Sequence, residues 1–107
     1  MYKDYNENSP NGYHTYYVYI LTNKYRTTFY IGVTNNLTRR IDEHIQSVRT
    51  KKQNFTARYK LTDLVYFEKY TWILNAIARE KELKGWKRER KLNLIRSVNP
   101  LFTTLLL

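Results

Sequence analysis

Two runs rich in β-branched and aromatic residues, 16–21 (YYVYIL) and 28–33 (TFYIGV), are separated by only six polar residues, 22–27. Runs of this composition form strands. Joined by so short a polar connector, they form a hairpin with a longer loop. With a side-chain period of two, Tyr17 and Tyr19 share one face of the first strand, and Val18 and Ile20 share the other.

The pattern then changes period. Leu37, Ile41, Ile45 and Val48 recur at spacings of four, four and three, a helical stripe that Asn35 or Asn36 can cap. Residues 49–60 (RTKKQNFTARYK) are basic, have no clear period and read as a loop. Residues 61–67 (LTDLVYF) read as a third strand, and Thr71 can cap a second helix that Gly85 ends at C′. A third, shorter helix over 86–98 stops ahead of Pro100. The expected architecture is an α+β domain, a small three-stranded and mostly antiparallel sheet flanked by helices in the order β-β-α-β-α-α. Residues 1–15 lack a period and read as a flexible N-terminal arm, leaving 16–107 as one domain.

Composition narrows the function classes. Hydrophobic residues at 42% and charged residues at 26% exclude an intrinsically disordered chain. No apolar run approaches the ~20 residues that span a bilayer, so no membrane role is expected, and the polar first residues do not read as a signal peptide. With no cysteine, disulfides, thiolate zinc sites and cysteine nucleophiles are excluded, and a reducing, cytoplasmic location fits. The P-loop, dinucleotide, HExxH and GxSxG signatures are missing. The net charge of +10 is concentrated in two blocks, 36–60 with seven basic against two acidic residues and 79–99 with eight against three. Such a field attracts polyanions, nucleic acid above all, although a merely solvated surface, an acidic protein or an anionic membrane face would also carry it.

Three groups of residues have chemical potential. Arg40 and His44 lie one helical turn apart at the edge of the apolar stripe, where they could hold a phosphate and move a proton, or simply be solvated. Glu80 stands where the core stripe Ile73, Ala76, Ile77, Leu83 calls for an apolar residue. A carboxylate facing a core is costly unless it is paired or binds a metal. A hard cation such as Mg²⁺ fits, and so does a snorkelling glutamate paired with Lys84. Among the eleven tyrosines, Tyr19 and Tyr30 lie one on each hairpin strand, suited equally to half-buried packing or, beside a cation, to acid–base work. Gly32 falls near the end of the second run, where a glycine is suited to a close approach of the backbone to something else.

Taken in order, Tyr17-Val18-Tyr19, Tyr30-Ile31-Gly32, the stretch 36–44 (NLTRRIDEH) and the stretch 78–86 (AREKELKGW) resemble the GIY-YIG nuclease superfamily, most of all its small stand-alone UvrC-like endonucleases. The resemblance implies a divalent-metal-dependent endonuclease acting on phosphodiester bonds of DNA, selective for structure in repair or recombination. Its catalytic residues would be Tyr19, Tyr30, Arg40, His44 and Glu80. Glu80 would hold a single Mg²⁺ or Mn²⁺, Arg40 would steady the phosphate, and one tyrosine would help deprotonate water while the other orients it. His44 would support proton transfer. The chain departs from the family pattern at Tyr17, which replaces a glycine, at Val33, where repair members often carry a basic residue, and at Thr103, where many carry an asparagine. The other functional class is a non-catalytic nucleic-acid-binding module of the same fold. A protein-interaction adaptor would use the apolar tail Leu105, Leu106, Leu107. A monomer is the expected state.

Overall fold

The computed structural model describes residues 13–106, so the first twelve residues of the expected arm, and Leu107 of the tail, lie outside the described residues. The two hairpin runs are strands β1 (Tyr13–Thr22) and β2 (Phe29–Thr34). β1 begins three residues ahead of the expected strand, so Tyr13, His14 and Thr15 belong to the sheet. Helix α1 (Leu37–Arg49) follows, with Asn36 as its N-cap accepting from the Arg39 amide at 3.0 Å. Buried Thr34 binds both the amide and the carbonyl of Asn36, which fixes the tight turn from strand to helix.

The basic stretch read as a loop contains one helical turn, α2 (Phe55–Arg58), capped by Asn54 through the Ala57 amide. Its cap is an asparagine without a following apolar stripe, so periodicity alone could not reveal it. β3 (Asp63–Trp72) runs five residues beyond the expected strand, and Thr71 lies in it instead of capping a helix. Helix α3 (Ile73–Gly85) therefore starts directly from the strand with Trp72 at its N-cap and no side-chain cap. Gly85 is its last helical residue, and Trp86 occupies the C-cap. Helix α4 (Arg88–Val98) completes the order β-β-α-β-α-α, with α2 as a short addition.

The sheet order is β2-β1-β3, antiparallel throughout. Its two faces hold separate cores. Val18, Ile20, Ile31, Val33 and Val65 pack against Ile73, Ala76 and Leu83 of α3 and Ile95 of α4. On the other face Tyr19, Leu21 and Leu64 pack with Leu37 of α1 and with Leu61, flanked by Tyr17, Tyr30 and Ile41.

Buried Asn99 locks the chain after α4. Its Nδ2 donates to the Val65 and Thr103 carbonyls at 3.0 and 2.8 Å, and its Oδ1 accepts from the Thr103 amide. Leu105 packs on the second core and its amide donates to Leu64 O, whereas Leu106 is exposed.

Candidate active site

The hairpin register sets Tyr19 directly opposite Gly32, with Tyr30 two residues along the partner strand on the same face, and the two tyrosine rings are 6.1 Å apart. A side chain at Gly32 would collide with both rings. α1 then lays Arg40 and His44 over this face. His44 is buried to 5% exposure, deeper than Ile41 or Ile45. The inner line of the helix therefore runs through Leu37 and His44, and the histidine is central to the stripe instead of at its edge. The reason is polar. His44 finds hydrogen-bond partners for both ring nitrogens inside the fold, which removes the usual cost of burial.

Those bonds have a direction. The Thr56 hydroxyl donates to the Asn54 carboxamide oxygen at 3.1 Å, so its oxygen accepts from His44 Nδ1–H at 2.9 Å. A neutral His44 then carries its lone pair on Nε2, 3.1 Å from the Tyr19 hydroxyl, which donates to it. The phenol oxygen in turn accepts from Arg40 Nε at 3.3 Å. The result is a chain from a cation, through a phenol, to an imidazole oriented by a threonine and a helix cap. Thr56 and Asn54 escaped the sequence reading because they lie in an aperiodic segment. Their only signal is the N-cap spacing of Asn54 before Ala57.

Tyr30, Arg40, His44 and Thr56 border an open cleft of about 630 Å³, together with Glu43 and Lys52. Arg40 Nη1 is held by Glu43 at 3.0 Å. Glu43 is half exposed, so this ion pair is weak.

Glu80 lies elsewhere. It is 4% exposed on the core line of α3, 3.5 Å from Lys84 Nζ, and does not line that cleft. Edge strand β2 is touched from one face by the tyrosine cluster and from the other by α3. Four of the five expected residues thus share one hydrogen-bonded or ring-packed group, and the fifth occupies the helix across the edge strand.

The four arginines of the basic block 79–99 have structural duties. Arg79 makes a two-pronged bond to Glu68 at 2.9 Å and pairs with Glu82, while its guanidinium lies over Trp86. Arg88 donates to the carbonyls of Arg26 and Thr27 and covers Phe29, Arg90 stacks on Trp86 at 3.8 Å, and Arg96 lies over Phe102. Burial alone would raise the Glu68 carboxyl, but hydrogen bonds from Arg79, Tyr66 and Tyr70 outweigh it and hold the group below its ordinary value. The Tyr70 phenol is pushed up to about 12, first by burial and then by its bond to Glu68.

An antiparallel hairpin that sets paired tyrosines against an arginine and a buried histidine, on a sheet backed by two further helices, defines a small nuclease-type α+β domain. Residues 15–93 match the GIY-YIG catalytic domain, and the chain belongs to that family. With the family goes nuclease activity, and hence a nucleic-acid substrate. The fold is similar to the solution NMR structure of a UPF0213 protein from Bacillus halodurans, at 28% identity and a TM-score of 0.50, over 79% of this chain and 86% of that one. A search of curated proteins finds no significant match. No helix among the described residues is long and apolar enough to cross a membrane.

Proposed function

We propose that the protein is a divalent-metal-dependent endonuclease that hydrolyses phosphodiester bonds in DNA. The observation that carries this reading is the directed chain Arg40–Tyr19–His44–Thr56 at the edge of an open cleft. Tyr19 is fully buried and outside the cleft lining, so in this reading it acts as a positioning group whose hydroxyl donates to His44 Nε2 and accepts from Arg40 Nε. Arg40 borders the cleft and would offset the negative charge that grows on the phosphate. Tyr30, whose ring packs edge-on to His44 at 5.4 Å, borders the cleft and orients water or phosphate.

The donor set bears on the metal. Among the described residues no group of three or more His, Asp or Glu could enclose an ion, so a cage for zinc or calcium does not fit. A single buried carboxylate, Glu80, does fit a hard ion such as Mg²⁺ or Mn²⁺ that takes one protein ligand and completes its shell with water and phosphate. Glu80 is outside the lining of the cleft, so an ion held there would act as a Lewis acid only on a phosphate that reaches past edge strand β2 toward α3.

One feature favours the second reading, a binding module without turnover. Val33 is buried in the α3-side core and offers no charge beside Gly32. Cleavage of labelled single-stranded, duplex and branched DNA with and without Mg²⁺ or Mn²⁺ decides between the two. Metal-dependent cutting that Glu80→Gln removes supports the enzyme, and binding without cutting under every condition supports the module.

A further inference from the structure

We infer that α2 is a stacking platform for an unpaired nucleobase, which would make single-stranded or gapped nucleic acid the preferred substrate. The inference rests on the nuclease reading of the adjoining cleft.

Phe55 and Tyr59 lie four residues apart at the start and just past the end of α2, with ring centroids 4.9 Å apart. Their exposures are 49% and 44%, although rings of this size are ordinarily drawn into a core or an interface. Phe55 also borders the cleft that Arg40, His44 and Thr56 line, so the aromatic pair adjoins the catalytic group. Thr56, the residue between platform and relay, is bonded to His44 and ties the position of α2 to that of the imidazole.

The surrounding charge fits a nucleic-acid chain. Lys52 lines the cleft, Arg58 lies over the Tyr59 ring, and Lys51 and Lys60 flank the turn. A basic groove beside exposed aromatic rings is the combination that holds single strands, phosphates on the cations and bases on the rings. In a duplex the base faces are already stacked on one another, so the rings have nothing to grip. An unpaired base next to the scissile phosphate is what this arrangement can use.

The test compares binding of three DNAs of one sequence without metal: a single strand, a duplex, and a duplex with a short gap carrying 2-aminopurine. The wild-type protein is expected to bind the gapped and single-stranded probes more tightly than the blunt duplex and to quench 2-aminopurine. The double variant Phe55→Leu/Tyr59→Leu keeps apolar bulk but removes both rings. It is expected to lose about ten-fold in affinity for the gapped probe, within the range for one stacked base, together with the quenching, while duplex affinity and the unfolding midpoint stay put. Equal binding of gapped DNA by variant and wild type overturns the platform. So does a wild-type protein that binds all three probes alike or binds none. Cleavage of all three DNAs by the wild type, measured alongside with Mg²⁺, separates the outcomes: cutting without strand preference overturns the platform alone, and absence of cutting on every one of them overturns the nuclease reading.

Discussion

Tyr19 and Gly32 stand directly across the β1–β2 ladder, and a Cβ on Gly32 would lie 2.6 Å from both Cζ and Oη of Tyr19. The Tyr19 ring therefore lies across the bare backbone of its partner strand, which lets its hydroxyl reach His44 and Arg40 while the residue stays fully buried. Gly32 is required by a close approach, not by an unusual backbone angle.

Gly32→Ala should accordingly displace the phenol, because Tyr30 is also only 2.9 Å from the added carbon and leaves no room to yield. A stability loss of about 1–3 kcal/mol is expected, as for overpacking of a tight core. Cleavage should fall further than stability accounts for. Thermal unfolding together with cleavage well below the midpoint checks both halves.

Thr56→Val replaces the acceptor of His44 Nδ1–H with a methyl of the same size. The lone pair is then no longer held on Nε2 toward Tyr19. Turnover should drop by roughly ten-fold or more, a fraction of the 10²–10⁴ that a positioned base supplies, with KM unchanged. Thr56→Ser should restore it. Equal kcat values for Val and Ser would show that Thr56 only fills space.

Glu80→Gln should abolish cleavage while leaving DNA affinity and fold nearly intact. Arg40→Ala should instead weaken both binding and turnover, since its positive charge acts in ground and transition states alike. If Glu80 serves only as partner to Lys84, the change alters stability alone and cutting continues. Single-turnover cleavage beside a binding titration separates these cases.

The Glu68 cluster makes stability pH-dependent at both ends. The Glu68 carboxyl titrates below its ordinary 4.5 in the folded protein, so its contribution is complete above that pH and is lost as pH falls through the lower folded value. Tyr70 titrates at about 12 instead of 10.0, so its contribution is present below pH 10 and lost as pH rises through about 12. Glu68→Gln should flatten the acid side of a plot of urea midpoint against pH and lower the plateau by about 1–3 kcal/mol.

Affinity for DNA should fall steeply with salt. Because the arginines of 79–99 are stitched to carbonyls, carboxylates and rings, the block around the cleft should dominate. Lys51→Gln and Lys52→Gln should each reduce the slope of log affinity against log salt by about 1, and Arg88→Gln and Arg96→Gln by much less.

Much of the site was legible because its parts sit on periodic elements. The alternation of β1 put Tyr17 and Tyr19 on one face, and the four-residue step from Arg40 to His44 put both on one side of α1. The broken stripe of α3 announced a buried carboxylate at Glu80. What escaped was non-periodic. α2 is a single turn in a basic stretch, Thr56 meets His44 across twelve residues, and Arg79 reaches Glu68 across eleven.

The amino-acid order by itself determined the three strands, the three longer helices and their order, and where the positive charge accumulates. Those follow from local period and composition, which need only neighbours along the chain. Tertiary structure decided that His44 lies at the centre of its helix face, that Gly32 makes room for Tyr19, and that the arginines of 79–99 are engaged within the fold. Each depends on partners brought together by strand register and helix docking. Hydrogen-bond direction and close backbone approach exist only after those partners have met.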